Sequence, residues 1–507
     1  MQRHTSFFPS RAARIIALLV IFAFGIAVRA FDLTDLPLEF HSTRQMLSAL
    51  KARGMYYEAR TDTPSWERSF AIQQWKFRAS VEPEFFERVV AFTYQFTGEQ
   101  LWVARLFSSL FWIIGGTFLF LLARRFTSTD GALAATAVYL LLPYAIIASR
   151  SFQPDPLMTM LIVIFLWAVY EWSILSTPWR RAGVREWTFA ILAGIFGGLA
   201  IFIKFPAAFF VAGGGLGAVL SRGSVKEAFK NPQVYVMALL GVLPGAGYLI
   251  YGIVIAGYLG QQFSGRFIPA LYLSPSYYLG WLNMLNLVPG GIVLMFALFG
   301  LFFLEDKKRL FLLGLWAGYA VFGLYFNYHI STHDYYSLPL IPIVALSLAP
   351  LADFLFGKLA QLTNTYSLRA AAFCLLFFGL FASVWNTRNQ LNAVDYRPEA
   401  EMWAEIGEKV AGYNLAGLTQ DYGSRLAYWG WRNITSWPTS GDLLYRGSLR
   451  GGQFDFDEQF ESTIQKKDLF VVTDLHELDR QPLLKERLDE YPVFAEGGGY
   501  IIYGLIK

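Results

Sequence analysis

The run Asp155-Pro-Leu-Met-Thr-Met-Leu-Ile-Val-Ile-Phe-Leu-Trp-Ala-Val-Tyr170 carries no charge after its first residue. Read on to Leu175, it gives an apolar stretch over 156–175. At about 1.5 Å per residue in a helix, that crosses a hydrocarbon core about 30 Å thick. Stretches of the same character lie near 12–29, 101–123, 131–149, 187–203, 205–220, 233–256, 288–304, 310–328, 337–356 and 369–385. The pattern predicts a polytopic α-helical membrane protein with about 11 transmembrane helices. The fifth and sixth are short and are separated only by the Lys204-Phe205-Pro206 break.

Composition agrees. The 507 residues are 55% hydrophobic, 17% aromatic and only 16% charged, whereas a soluble chain has about 25% charged residues. Apolar content this high excludes intrinsic disorder. The net charge of +4 gives no support to nucleic-acid binding. The single cysteine, Cys374, lies in an apolar run, which excludes an internal disulfide framework and a Cys/His zinc cluster. Arg3, Arg11 and Arg14 precede an apolar run from about Ile15 to Val28, as in a signal peptide; the run is read as a first span that stays in the chain.

Basic residues set the orientation. Alternate loops hold Arg3, Arg11 and Arg14; Arg124 and Arg125; Arg180, Arg181 and Arg185; Arg222, Lys226 and Lys230; Lys307, Lys308 and Arg309; and Lys358 and Arg369. Short basic loops stay cytoplasmic, so the N-terminus is expected inside and the C-terminus outside, in a plasma (inner) membrane. Two outer segments are too large to be connectors. Residues 30–100 form a first loop with amphipathic helices expected at 42–52 and 84–95. The tail, 386–507, holds 19 of the 38 acidic residues, which marks a soluble domain. Helices near 399–411 and 481–488 and strands near 468–473 and 499–506 make it a small α/β domain.

Charges held at membrane depth are costly and usually functional. Five segments place polar groups at outer helix ends. Glu39 lies in Leu36-Pro-Leu-Glu39-Phe-His41-Ser-Thr-Arg44-Gln45; it can take a proton from an acceptor hydroxyl, and it equally suits an acid facing a helix dipole. Asp155, between two prolines, suits a second carboxylate or a first-turn acid. Lys204, in Gly198-Leu-Ala-Ile-Phe-Ile-Lys204-Phe-Pro206, needs an anionic partner such as a phosphate, or snorkels to the interface. Tyr328-His329-Ile-Ser-Thr-His333-Asp334-Tyr335-Tyr336 offers hydroxyls and imidazoles to a phosphate or sugar. Arg266 is the only basic residue between Lys230 and Lys307 and can grip a phosphate bidentately; a surface role fits it as well. Two carboxylates and two or three cations at one face are what a transferase needs when its donor is a lipid-linked phosphate.

With those motifs the chain resembles the protein O-mannosyltransferase-like members of the GT-C superfamily, which include the lipid A aminoarabinose transferases. The matching motifs are Glu39-Phe-His-Ser-Thr-Arg-Gln, Gln153-Pro-Asp155-Pro, Gly198-Leu-Ala…Lys204-Phe-Pro206 and His333-Asp-Tyr-Tyr…Leu-Pro. The resemblance implies a GT-C catalytic domain over 1–385 and an extracytoplasmic α/β domain over 386–507. It implies transfer of a sugar, with inversion, from a polyprenyl-phosphate donor to a glycan, lipid or protein hydroxyl. Glu39 would be the base, although the family more often has aspartate there, and Asp155 would support it. Lys204, with Arg266, His333, Tyr335, Tyr336 and Arg44, would bind the donor phosphate or sugar. Some relatives hold a divalent metal ion and others need none; Glu39, His41 and His333 can supply ligands. The tail has no Trp-Trp-Asp-Tyr-Gly segment of the oligosaccharyltransferase type. The rival reading is a membrane transporter or lipid flippase with an outer-facing polar site. Transporters place polar groups on broken helices of an internal repeat near the midplane, and no repeat is evident.

Overall fold

The structure is a computed structural model, and it describes residues 6–78, 80–175, 183–260, 267–363, 365–445, 447 and 454–505. Arg3, Arg180, Arg181 and Arg266 lie outside the described residues. The chain divides into two compact units, one of residues 1–33, 80–85 and 104–393, the other of residues 34–79, 86–103 and 394–507. This differs from a division at residue 385, because most of the first outer loop belongs with the tail.

The first unit is helical. Among the described residues, seven helices are long and apolar enough to cross a membrane: Arg11–Ala30, Trp102–Phe126, Asp155–Ile174, Val184–Ile203, Pro232–Ile255, Leu340–Leu362 and Tyr366–Leu391. Four expected spans come out differently. The 131–149 stretch is a helix Thr129–Leu141 and a short helix Pro143–Ala148, because Pro143 cannot donate to the helical ladder. The 288–304 stretch is the second half of a pair, Pro275–Leu287 and Gly291–Phe303, bent by 86° at a break that contains Gly290 in a left-handed conformation. Helix Ala207–Arg222 has 16 residues, and Asp306–Tyr325 carries four charges in its first turn. Eleven full spans are therefore more than length and apolarity establish.

The long helices differ in how far they are buried. Helix Asp155–Ile174 is 89% buried over its most apolar window, whereas Tyr366–Leu391 is 0% buried. Small residues let helices touch backbone to backbone. A Cβ built on Gly314 would lie 2.5 Å from the Gly213 carbonyl oxygen, and one on Gly217 would lie 2.6 Å from that of Phe311. Helices Ala207–Arg222 and Asp306–Tyr325 are thereby packed along a glycine seam.

The second unit is α/β. Strands β1 (Leu415–Leu418), β2 (Ile434–Ser436), β3 (Leu469–Val472), β4 (Val493–Gly497) and β5 (Tyr500–Gly504) form one sheet in the order β2-β1-β3-β5-β4. β1 is parallel to β2 and β3, while β5 is antiparallel to β3 and β4. Alternate residues of β3 face opposite cores. Phe470 and Val472 pack with Trp437, Phe460 and Leu484; Leu469 and Val471 pack with Trp403, Ile406 and Leu426. The first-loop helices Ser42–Glu58, Ser65–Phe77 and Phe85–Thr97 join this unit. The first runs six residues beyond the expected Ala52, because Arg53, Met55 and Tyr56 are buried. The Arg53 guanidinium lies 2.7 Å from Glu99 and stacks 3.6 Å above the Tyr428 ring and 4.6 Å from Trp431. Burial alone would lower the Arg53 pKa; Glu99 reverses the effect and holds it above the ordinary value.

Candidate active site

In the helical unit, one ion pair stands out for its burial. Helix Val184–Ile203 stops at Lys204, whose φ of −156° is extended, and Pro206 starts the next helix. The stop follows from the proline, which disfavours helical backbone at Phe205. It directs the Lys204 side chain inward. Its Nζ donates to both carboxylate oxygens of Asp155 at 2.9 Å, and the two side chains are 4% and 3% exposed. Asp155 begins helix Asp155–Ile174, so its charge also meets the positive end of that helix.

Aromatic rings cover the pair. Lys204 Nζ lies 4.9 Å from the Tyr335 ring centroid and 5.0 Å from that of Tyr336. Both tyrosines belong to the 3₁₀ turn Asp334–Ser337 and are buried. His333 adjoins them, with its ring 5.7 Å from Tyr335, 6.2 Å from Tyr336 and 5.5 Å from His329. Tyr144 lies beside Asp334. An ammonium has three N–H donors and no acceptor. Two directed at Asp155 leave one for an incoming anion, so the site can hold an oxyanion against a fixed cation. Asp155, Lys204, Tyr335 and Tyr336 are thus brought together, with His333 at the edge.

Three buried arginines bond the backbone and a serine next to this region. Arg150 and Arg105 each donate to the Asp32 carbonyl, at 3.0 and 3.3 Å. Arg29 donates to Ser149 Oγ at 2.7 Å and to the Leu140 carbonyl at 2.9 Å. All three are 1% exposed. Their signal was available, since Arg105 interrupts an apolar run as Lys204 does.

A cavity of about 570 Å³ opens elsewhere in this unit, lined by residues such as Phe165, Ile201, Leu216 and Met237. Tyr235 is its only lining residue with a polar side-chain atom. It suits hydrocarbon and carries no chemistry.

Glu39, His41 and Arg44 belong to the α/β unit. His41 has φ 45° and precedes helix Ser42–Glu58; Glu39 is half-buried, two residues earlier. Tyr396 of the tail is within electrostatic reach of Glu39; burial first, and then Glu39, raise its pKa. Among the described residues no three His, Cys, Asp or Glu side chains cluster so as to hold a metal ion. Glu39 and His41 lie in the α/β unit and His333 in the helical one.

A model of the family described as dolichyl-phosphate-mannose-protein mannosyltransferase matches residues 82–251. No curated protein matches the chain in sequence. Among solved structures, ArnT from Cupriavidus metallidurans in the apo state superposes with a TM-score of 0.59 at 15% identity, over 98% of both chains. The chain has the fold of ArnT. The same ArnT bound to undecaprenyl phosphate gives a TM-score of 0.54 at 16% identity, over 97% of both chains. The archaeal oligosaccharyltransferase AglB from Archaeoglobus fulgidus, in complex with an inhibitory peptide and a dolichol-phosphate, gives 0.55 at 12% identity, over 91% of this chain and 69% of that one. The matched segment 82–251 contains Asp155 and Lys204 but neither Glu39 nor the Tyr335–Tyr336 turn.

Proposed function

We propose that this protein is an integral-membrane glycosyltransferase that moves a sugar from a polyprenyl-phosphate donor to an acceptor hydroxyl, inverting the anomeric carbon. The observation that carries the reading is the buried Lys204 ammonium, fixed by Asp155 and roofed by Tyr335 and Tyr336. The solved proteins of the same fold were captured with undecaprenyl phosphate and with dolichol-phosphate, which supports the same donor class here. The N-terminus is cytoplasmic, and the reaction and the 386–507 domain are extracytoplasmic, in a plasma (inner) membrane.

Lys204 binds the donor phosphate, assisted by Arg266 and by the hydroxyl and imidazole groups of Tyr335, Tyr336 and His333. Arg44 contributes a further cation. The acceptor oxygen attacks C1 of the sugar as the C1–O bond to phosphate breaks. Its proton passes to Glu39, and polyprenyl phosphate leaves with the bond pair, its growing charge met by the cations. Asp155 holds Lys204 in register, so the cation needs no reorganisation as charge develops.

The test is release of polyprenyl phosphate from polyprenyl-phosphate sugars by purified protein mixed with a membrane extract. Wild type is run beside Glu39→Gln and Lys204→Ala. Release by wild type, loss in Glu39→Gln at unchanged donor binding, and loss of donor binding in Lys204→Ala are expected. Equal turnover by wild type and Glu39→Gln removes Glu39 as base. No turnover by any protein across a broad donor set removes the transferase reading.

A further inference from the structure

The segment that carries Glu39 is fastened at both ends by the tail, more than 350 residues away in sequence. At its start, the buried Asp35 carboxylate accepts from the Tyr396 backbone N–H at 3.0 Å. At its end, the Asp421 carboxylate accepts from Ser42 Oγ and Thr43 Oγ1, both at 2.7 Å. Ser42 and Thr43 open helix Ser42–Glu58, where a carboxylate also meets the positive end of the helix. Asp421 is therefore a cap supplied from elsewhere in the chain.

Asp421 is itself held in place. It and Tyr422 adopt left-handed backbone, φ 52° and 53°, followed by Gly423 at 77°. For the two residues with a Cβ this conformation is uncommon and costs energy, so the surroundings must impose it. Arg425 does so: its Nε donates to Asp421 Oδ2 at 2.6 Å, its Nη1 to Glu399 at 2.5 Å, and its Nη2 to Ser42 Oγ at 3.3 Å. Arg425 side-chain exposure is 10% and that of Asp421 is 5%. One guanidinium joins the tail helix Arg397–Lys409, the left-handed turn and the first residue of the first-loop helix.

We propose that Asp421 and Arg425 are positioning residues for the acceptor-deprotonating step, holding the segment 35–44 through Ser42 and Thr43 so that Glu39 is correctly placed. The proposal rests on Glu39 being the base. Misplacing a reacting group by about 1 Å can cost on the order of 100-fold in rate. The expected signature is a loss in kcat of about 10- to 100-fold with KM for the donor lipid unchanged within about twofold.

The experiment uses the full-length protein. Asp421→Asn, which keeps the side chain's shape, and the double variant Ser42→Ala/Thr43→Val are compared with wild type, each also in a Glu39→Gln background. Support is a kcat loss in both, at unchanged KM and unchanged polyprenyl-phosphate binding, that disappears when Glu39 is already Gln. Wild-type kcat in both variants overturns the proposal while leaving Glu39 as base. A kcat loss that persists in full in the Glu39→Gln background, or a matching loss of lipid binding, overturns it by showing a general structural role. Wild-type activity in Glu39→Gln itself removes the reading beneath it. Should Asp421→Asn fail to fold, the Ser42→Ala/Thr43→Val variant, which leaves the Asp421–Arg425 pair intact, decides alone.

Discussion

Neutralising one partner of the Asp155–Lys204 pair isolates the energetics of the site from its chemistry. At 2.9 Å and an effective dielectric of about 20, two unit charges attract by about 6 kcal/mol. Most of that offsets the cost of removing both from water. Removing one partner forfeits the attraction and leaves the other charge buried, which costs about 3–5 kcal/mol. Asp155→Asn is therefore expected to lose that much stability, and Lys204→Met a similar amount. In Asp155→Asn/Lys204→Met no charge is stranded, so the double variant should recover about 2–3 kcal/mol of the summed loss. The favourable position of Asp155 at a helix start, about 0.3–1 kcal/mol, is lost in both arms and does not enter the coupling. Equilibrium unfolding in mixed detergent micelles measures all four proteins. Single variants within about 1 kcal/mol of wild type, or losses that add within about 0.5 kcal/mol, would refute the view of the pair as one buried unit.

Three further outcomes are expected. Glu99→Gln strands the buried Arg53 guanidinium and should cost the α/β unit about 3 kcal/mol, read as an earlier thermal transition in near-ultraviolet circular dichroism. Gly314→Val drives a side chain into the Gly213 backbone and should cost about 1–3 kcal/mol or more; Gly215→Ala, whose new Cβ meets nothing within 4 Å, should be neutral, and equal losses in the two would count against the glycine seam. Glu477 is pulled up by burial, but the Ser440 N–H and the Gln481 amide outweigh this and hold it below the ordinary glutamate value. A carboxyl lowered in the folded state adds stability above its unfolded pKa and loses it as pH falls through the folded one. Glu477→Gln should therefore melt earlier than wild type near neutral pH, and the gap should narrow as pH falls through the folded-state pKa.

Local pattern made much of this molecule legible. Uninterrupted apolar runs marked the long helices within a few residues, since hydropathy over about 20 residues is a local property. Lys204 and Asp155 were visible because a charge in an apolar setting is conspicuous from sequence. Their pairing was not, because nothing local joins residues 49 apart. The 86° bend between Leu287 and Gly291 was also hidden: Pro275–Leu287 contains Asn283 and Asn286 and two tyrosines, and reads as a loop rather than half of a broken span. In the tail, β3 and β5 were readable from Leu-Phe-Val-Val and Tyr-Ile-Ile-Tyr. The Leu-Ala-Gly-Leu of β1 and the three residues of β2 are too short to signal. The largest omission was the tie between the first loop and the tail. It rests on single side chains, Asp35, Asp421 and Arg425, whose ordinary reading is as surface charges.

The union of residues 34–79 and 86–103 with 394–507 has a consequence in time. A ribosome makes roughly 5–20 residues per second, so the roughly 290 residues between Val103 and Val394 separate the first loop from its partner by about 15–60 s. Throughout that interval Asp35, Ser42, Thr43 and Arg53 lack the tail groups they bond in the finished protein. A chain that stops before Asp421 and Arg425 lacks the groups that bond Ser42 and Thr43. If Glu39 is the base, as proposed, the tail must be made before the base is held in place.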